Sequence, residues 1–350
     1  MTKKLLWAAL ALMMLAALLA GCAPKADGLK VGFITDGSPL KDGGINQSIY
    51  DTLESLTKGV QLEVVYSEPK DAQKDTLLAE IKKLTAGGCN MLILHSYTFA
   101  EVLQEAQILY PSCKFVALDF APATMGDSVV SVQYAAHEAG FMAGFAAAIR
   151  LKQGRFGAVL GLKIPAWQQY SYGFQQGVLY ANDTEGTRVT MSEADFRYIG
   201  TVTNDSLAQQ MAAQLYDSGV DCLFVAAGKA GVGAIVEAKL RRANGEDIWA
   251  VGSEYSQFHL GTYDGNNSVI ITSAIKRWND AVIDTIDKAM RDKFPGRETL
   301  KYSAANGGVG IPTGEYNLTV DMRLLCTEVA EALKKDDIEV SAEWVEGLIK

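Results

Sequence analysis

Along the chain, short apolar runs alternate with stretches whose apolar residues recur at helical spacing. From residue 29 onward, strand-like runs fall at 30–34, 61–65, 91–94, 115–118 and 129–132, with helix-period stretches at 46–56, 72–86 and 100–109 between them. Strands alternating with helices predict a parallel sheet covered by helices on both faces. A glycine- and alanine-rich helix at 137–149 follows. The pattern then starts over, with strand-like runs at 155–160, 189–191, 222–225, 248–251 and 269–272. The expected fold is α/β, two doubly wound parallel-sheet lobes in tandem. Ligands bind such sheets at the carboxyl ends of strands, which puts a cleft between the lobes and directs attention to the polar loops there.

Ahead of this region the pattern is different. Lys3 and Lys4 precede an unbroken apolar run at 5–19, which ends in Leu19-Ala20-Gly21-Cys22. A basic segment, an apolar segment and small residues before a cysteine resemble a bacterial lipoprotein signal. On that reading residues 1–21 are removed, Cys22 is lipidated, and 22–28 is a tether to the cell membrane. An uncleaved membrane anchor is the competing reading, and fifteen apolar residues are short for crossing a bilayer. Either way the rest of the chain works outside the cytoplasm.

Charge narrows the partners. The 350-residue chain carries a formal charge of −9, and loss of 1–21 removes two lysines and no acid, leaving −11. That balance argues against nucleic acid and anionic lipid surfaces. Beyond Cys22 the cysteines are at 89, 113, 222 and 326, with no C-x-x-C pair, and the three histidines are at 95, 137 and 259, so neither a structural zinc site nor any other cofactor site is expected. Cys89 and Cys113 each precede a strand-like run, so neighbouring strands would set them side by side. Both a disulfide and a pair of buried thiols remain open.

The loops after the strands carry carboxylates, amides, a lysine, glycines and rings. They include Thr35 to Ser38, Lys41 to Gln47, His95-Ser96-Tyr97, Asp119-Phe120, Gly161 to Tyr172, Gly228 to Gly233, Gly252 to Tyr255 and Ser273 to Lys276. Carboxylates that accept pairs of hydroxyl protons, with rings to stack on, suit a polyhydroxylated or aromatic ligand. Gly228 to Gly233 matches neither G-x-G-x-x-G nor the Walker pattern, which favours a tight strand-to-helix turn over a phosphate cradle. Asp36 and Asp119 could each be a turn or helix cap. Lys276 could be a plain ion-pair partner of Glu254. Taken together, these residues at the ends of several strands point to one shared site. No G-x-S-x-G elbow and no H-E-x-x-H occurs, so catalysis is not the expected activity.

Several of these segments resemble the basic membrane protein family of bacterial lipoproteins, purine nucleoside receptors that serve as substrate-binding components of ABC transporters. The resemblance runs along the chain after Cys22. It rests on Thr35-Asp36-Gly37 with Asn46-Gln47 downstream, His137-Glu138-Ala139-Gly140-Phe141-Met142-Ala143-Gly144, Gly173-Phe174-x-x-Gly177, Gly228-x-x-Gly231-x-Gly233 and Thr272-Ser273-x-x-Lys276-Arg277. It implies a type I periplasmic-binding fold with a hinge, lobe one being 29–148 plus about 273–305 and lobe two 149–272 plus about 306–350. It further implies that Asp36 and Asn46 face the base of a nucleoside, that Asp119, Glu254 and Lys276 hold the sugar hydroxyls, and that Gly231 allows close backbone approach. A permease is the implied partner.

The chain departs from the family pattern in three places. Ile45 stands where an aromatic ring precedes the asparagine. Glu254 stands where the pattern has the shorter aspartate, and Ser256 where it has a second acid. The segment around Trp167, Tyr170 and Tyr172 is richer in rings, with Tyr170 expected to contact the ligand, and Tyr198 is a further ring expected near the cleft, as are the strand-end residues Ser96 and Gly228. A nucleoside captured between lobes is therefore the leading reading. The same fold holding a sugar or another small polar ligand, for uptake or sensing, and an anchored hydrolase, are the alternatives.

Overall fold

The computed structural model describes residues 28–60, 62–314 and 317–349. The leader, Cys22 and most of the tether lie outside the described residues. β1 (Lys30–Ile34), α1 (Ile45–Gly59), β2 (Glu63–Ser67), α2 (Lys74–Ala86), β3 (Met91–His95), α3 (Ala100–Leu109), β4 (Lys114–Leu118) and β5 (Val129–Tyr134) alternate as the apolar pattern implies. α4 (Ala136–Leu151), β6 (Gln153–Leu160), α5 (Pro165–Thr184), β7 (Arg188–Tyr198), α6 (Asp205–Asp217), β8 (Cys222–Ala226), α7 (Gly231–Ala243) and β9 (Trp249–Glu254) repeat the alternation. A small hairpin, β10 (Thr262–Asp264) with β11 (Asn267–Ser268), precedes β12 (Ile270–Lys276). α8 (Trp278–Met290), β13 (Thr299–Tyr302), β14 (Val309–Gly310) and α9 (Val320–Lys334) complete the chain.

The first six-stranded sheet runs β13-β5-β4-β3-β1-β2 and the second β14-β12-β9-β8-β6-β7. Their pairings are parallel except β12 with β14. Both are doubly wound, so all the parallel strands of one sheet present their carboxyl ends on one side. β3, β8 and β9 are buried along their whole length, as strands covered on both faces must be.

The chain crosses between the sheets at Ala135, at Arg277 and between Ser303 and Gly308. The crossings lean on one another: Ala135 N donates to Tyr302 O at 2.8 Å and Arg277 N to Gly308 O at 2.9 Å. Sheet membership moves two of the expected boundaries. Residues 273–276, expected in lobe one, continue β12, with Ser273 opposite Gly252 and Ile275 opposite Glu254 in the second sheet. Ser273 is polar yet fully buried, which ended the expected run at Thr272 and hid the strand's continuation from a reading based on apolar runs. α4, expected with lobe one, packs instead on α5 and β12, whereas α8 returns to α1.

The α4–α5 contact accounts for two of the glycine-rich motifs. A Cβ on Gly140 or Gly144 would come within 2.3 Å or 2.2 Å of the Tyr170 or Phe174 carbonyl oxygen, and one on Gly173 or Gly177 within 1.8 Å or 2.0 Å of those of His137 and Phe141. Glycines one turn apart on each helix thus let the two backbones touch. Cys89 and Cys113 do lie side by side, with Cys113 Sγ 3.8 Å from the Cys89 carbonyl oxygen, but both are free, buried thiols. Burial pushes the Cys113 thiol up to about 12, so it stays protonated and unreactive.

Candidate ligand-binding site

The carboxyl ends of β1, β3 and β4 face those of β8 and β9 across a cavity of about 210 Å³. Four of the residues that line it hold left-handed backbone: Ser96 at φ 92°, Asp119 at 66°, Glu254 at 71° and Gly228 at 57°. Only glycine adopts this region without cost, and side chains held there cluster at sites where the surroundings impose the geometry. Each of these residues ends or closely follows a strand, so the sharp turn swings its polar side chain or backbone toward the cleft.

The charged end of the cavity joins the two lobes. Lys276 Nζ, from β12, lies 2.8 Å from Asp119 Oδ2 at the end of β4 and 3.2–3.3 Å from both oxygens of Glu254. The lysine side chain is 1% exposed. Burial works against its charge, but the two carboxylates more than offset this and hold its pKa up. Rings of Tyr134, Tyr170 and Trp278 surround the ammonium at 5.8, 4.9 and 5.3 Å from their centroids. Burial pushes the Glu254 carboxyl up to about 7, opposed by Lys276. The cluster is pre-formed: one cation shared by two acids, whose remaining lone pairs can accept ligand hydroxyl protons.

At the other end, Asn46 in the first turn of α1 donates from Nδ2 to Asp36 Oδ1 at 3.2 Å, and Asp36 also accepts from Ser38 N at 3.2 Å. Asn46 is 2% exposed and its Oδ1 has no partner among the described residues. Across the mouth, Tyr97 of lobe one meets Trp167 of lobe two edge to face, centroids 6.2 Å apart. The Tyr255 ring lies against Gly44, where an added Cβ would come within 3.3 Å. The two lobes are therefore in contact at the charged cluster and at the mouth.

Of the residues singled out from sequence, Asp36, Ile45, Asn46, Ser96, Asp119, Trp167, Gly228 and Glu254 line this cavity. Lys276 stands directly behind Asp119 and Glu254. Three are placed otherwise. Tyr170 is fully buried beneath Lys276, so it supports the ammonium and does not reach the cavity. Gly231 opens α7, where a Cβ would press within 2.9 Å of Val225 Cγ1; its small size serves packing. Tyr198 faces a separate groove on the outer edge of lobe two with Tyr172, Phe196 and Trp344. Asp42, His95, Tyr97 and Tyr255, from loops named in the sequence but not selected there, also line the cavity, as does Gln257 just beyond the Gly252 to Tyr255 loop. For His95, Tyr97 and Tyr255 the signal is position at or within two residues of a strand end; Asp42 and Gln257 carry no such signal.

Two doubly wound lobes, three crossings and a cavity shared by both lobes define a fold of the periplasmic-binding-protein class. The structure is similar to an ABC transporter solute-binding protein from Aeropyrum pernix K1, with a TM-score of 0.74 and 21% identity over 91% of this chain and 94% of that one. It is also similar to one from Conexibacter woesei DSM 14684, with a TM-score of 0.70 and 20% identity over 90% and 99%.

The family model described as ABC transporter substrate-binding protein PnrA-like matches residues 29–342, and the chain belongs to that Bmp family. The ABC transporter nucleoside-binding protein BmpA of Lactococcus lactis is 26% identical over 328 residues, 88% of this chain and 90% of that protein. The CD4+ T-cell-stimulating antigen of Listeria monocytogenes is 25% identical over 319 residues, covering 89% and 87%. The chain is thus a substrate-binding protein of an ABC transporter, acting outside the cytoplasm with a small-molecule ligand and a permease as its partners. Among the described residues no helix is long and apolar enough to cross a membrane.

Proposed function

We propose that the protein captures a nucleoside, a purine nucleoside in the first instance, and delivers it to the permease while tethered through a lipidated Cys22. The observation that carries this reading is the Lys276 cluster, which offers two carboxylates from opposite lobes at one end of a cavity whose other end holds an acid and an amide. A sugar diol at Asp119 and Glu254 would donate charge-assisted hydrogen bonds to carboxylates of both lobes at once. Asp36 and the free Asn46 Oδ1 would read donors on the base edge. A family relative named for nucleoside binding supports the choice. Because these contacts come from both lobes, a ligand favours the closed arrangement by its differential affinity, and closure is what the permease would sense.

Ile45 replaces the expected stacking ring, and Trp167 and Tyr97 stand at the mouth to cover the base instead. Binding to the folded state alone raises the melting temperature by mass action. A thermal-shift panel on residues 23–350 with inosine, guanosine, adenosine, pyrimidine nucleosides, free bases, pentoses and hexoses is therefore decisive. Stabilisation by purine nucleosides and not by free sugars supports the reading. Stabilisation by sugars alone sinks it in favour of a sugar receptor, and turnover of a bound ligand would indicate a hydrolase. For the anchor, Cys22→Ser should shift the protein from the membrane fraction to the medium, and unchanged fractionation would contradict it.

A further inference from the structure

His95 ends β3, which lies between β4 and β1 in the first sheet, and its register partner Leu118 immediately precedes Asp119. The imidazole therefore sits between two of lobe one's cavity acids, Asp119 on one side and Asp36 on the other. It lines the cavity, is 8% exposed, and stands edge-on to Trp278 with centroids 5.1 Å apart. Its Nδ1 has no hydrogen-bond partner among the described residues. An unsatisfied polar atom buried in a wall is costly, and packing against Trp278 would be served as well by a phenyl ring. Asp36 and Asp119 can only accept hydrogen bonds, whereas an imidazole can donate or accept.

We propose that His95 is a specificity-determining residue that hydrogen-bonds through Nδ1 to a polar atom at the middle of the bound ligand, between the portions held at the Asp36–Asn46 and Asp119–Glu254–Lys276 ends. This deepens the nucleoside reading and rests on it for the ligand's identity. The ligand it selects carries a hydroxyl at its midpoint, where base and sugar join, which donates to Nδ1. The charged groups that face the imidazole are Asp36 after β1, Asp42 from the loop before α1, Asp119 after β4 and Lys276 from β12. Burial outweighs the acids and lowers the His95 pKa, so the ring is neutral at pH 7. Protonation in acid would set a second cation near Lys276, and a ligand bonded to the neutral ring resists it. Affinity therefore falls as pH drops through the His95 pKa. Glu254 titrates near 7 and adds its own contribution, which the variants separate.

The test is calorimetric titration of wild type, His95→Phe and His95→Gln with inosine, or with the panel compound that stabilises most if inosine does not bind. His95→Phe should bind about tenfold more weakly or worse without loss of melting temperature. His95→Gln should recover part of the affinity and lose the low-pH decline assigned to His95. Long-range proton–nitrogen spectra of wild type should show the His95 Nδ1 resonance, identified by its absence in His95→Gln, moving on ligand addition. Affinity within twofold in His95→Phe together with an unmoved Nδ1 resonance overturns the proposal. Sugars binding in place of nucleosides would defeat the nucleoside reading while leaving the His95 comparison to be scored on the sugar. Failure of the whole panel to bind overturns both.

Discussion

At one end of the cavity Lys276, Asp119 and Glu254 are buried, mutually paired and braced by three rings; at the other, Asp36 and Asn46 make a single side-chain hydrogen bond and leave Asn46 Oδ1 unpaired. The charged end ties one lobe to the other through its ion pairs even without a ligand, so it contributes to stability as well as to binding. The Asp36 end has no ion pair among the described residues and does not join the lobes. It therefore contributes to discrimination, because a ligand lacking the matching donor leaves a buried group unsatisfied.

The largest expected effect comes from breaking the charged end. Lys276→Met leaves two facing carboxylates without their cation, and removal of one partner from a buried ion cluster typically costs about 3–5 kcal/mol. Denaturant unfolding should show that loss, with ligand binding abolished. The other end should behave in the opposite way. Asp36→Ala should weaken a purine nucleoside roughly 10- to 100-fold by calorimetry, the worth of a hydrogen bond to a charged group, while changing unfolding stability little. If Asp36→Ala destabilises as much as Lys276→Met, the contrast between the ends is wrong.

A smaller effect tests the mouth. Trp167→Ala removes the edge-to-face contact with Tyr97, worth about 0.5–1.5 kcal/mol beyond the area buried, so it should weaken binding severalfold with no shift in ligand preference. Glu254 gives a pH test. Its folded-state pKa, near 7, lies above the ordinary carboxylate value, so the folded state binds more protons than the unfolded one between that value and about 7. Stability contributed by this group is present at low pH and falls as pH rises to 7. Chemical unfolding of Glu254→Gln across pH 5 to 7.5 should show a flatter profile than wild type. The smallest effect is at the thiols: reducing agent should leave the melting temperature unchanged, because Cys89 and Cys113 are unbridged.

The fold was legible because buried parallel strands write themselves as apolar runs; 30–34 and 100–109 coincide with β1 and α3 to the residue. Where a strand carries polar residues, the run stops short of the structure. β7 continues to Tyr198 along an exposed edge, and β12 continues through buried Thr272 and Ser273 to Lys276. β13 and β14 are too short to leave a pattern. Asp36, Asp119 and Glu254 could be read because polar residues end otherwise apolar strands. The left-handed turns at Ser96, Asp119 and Glu254 could not, since nothing in a single non-glycine residue announces that its neighbours will impose them. Tyr170 and Gly231 misled for a related reason: an aromatic ring and a glycine look alike in sequence whether they serve a ligand or the packing beneath it.

The most direct test of the account is calorimetric competition between inosine, hypoxanthine and ribose on residues 23–350. The account predicts tight binding of inosine and only weak binding of either fragment, because each fragment reaches one end of the cavity and cannot satisfy both. Ribose binding as tightly as inosine would show that the Asp36 and Asn46 end does not read a base, and would contradict it.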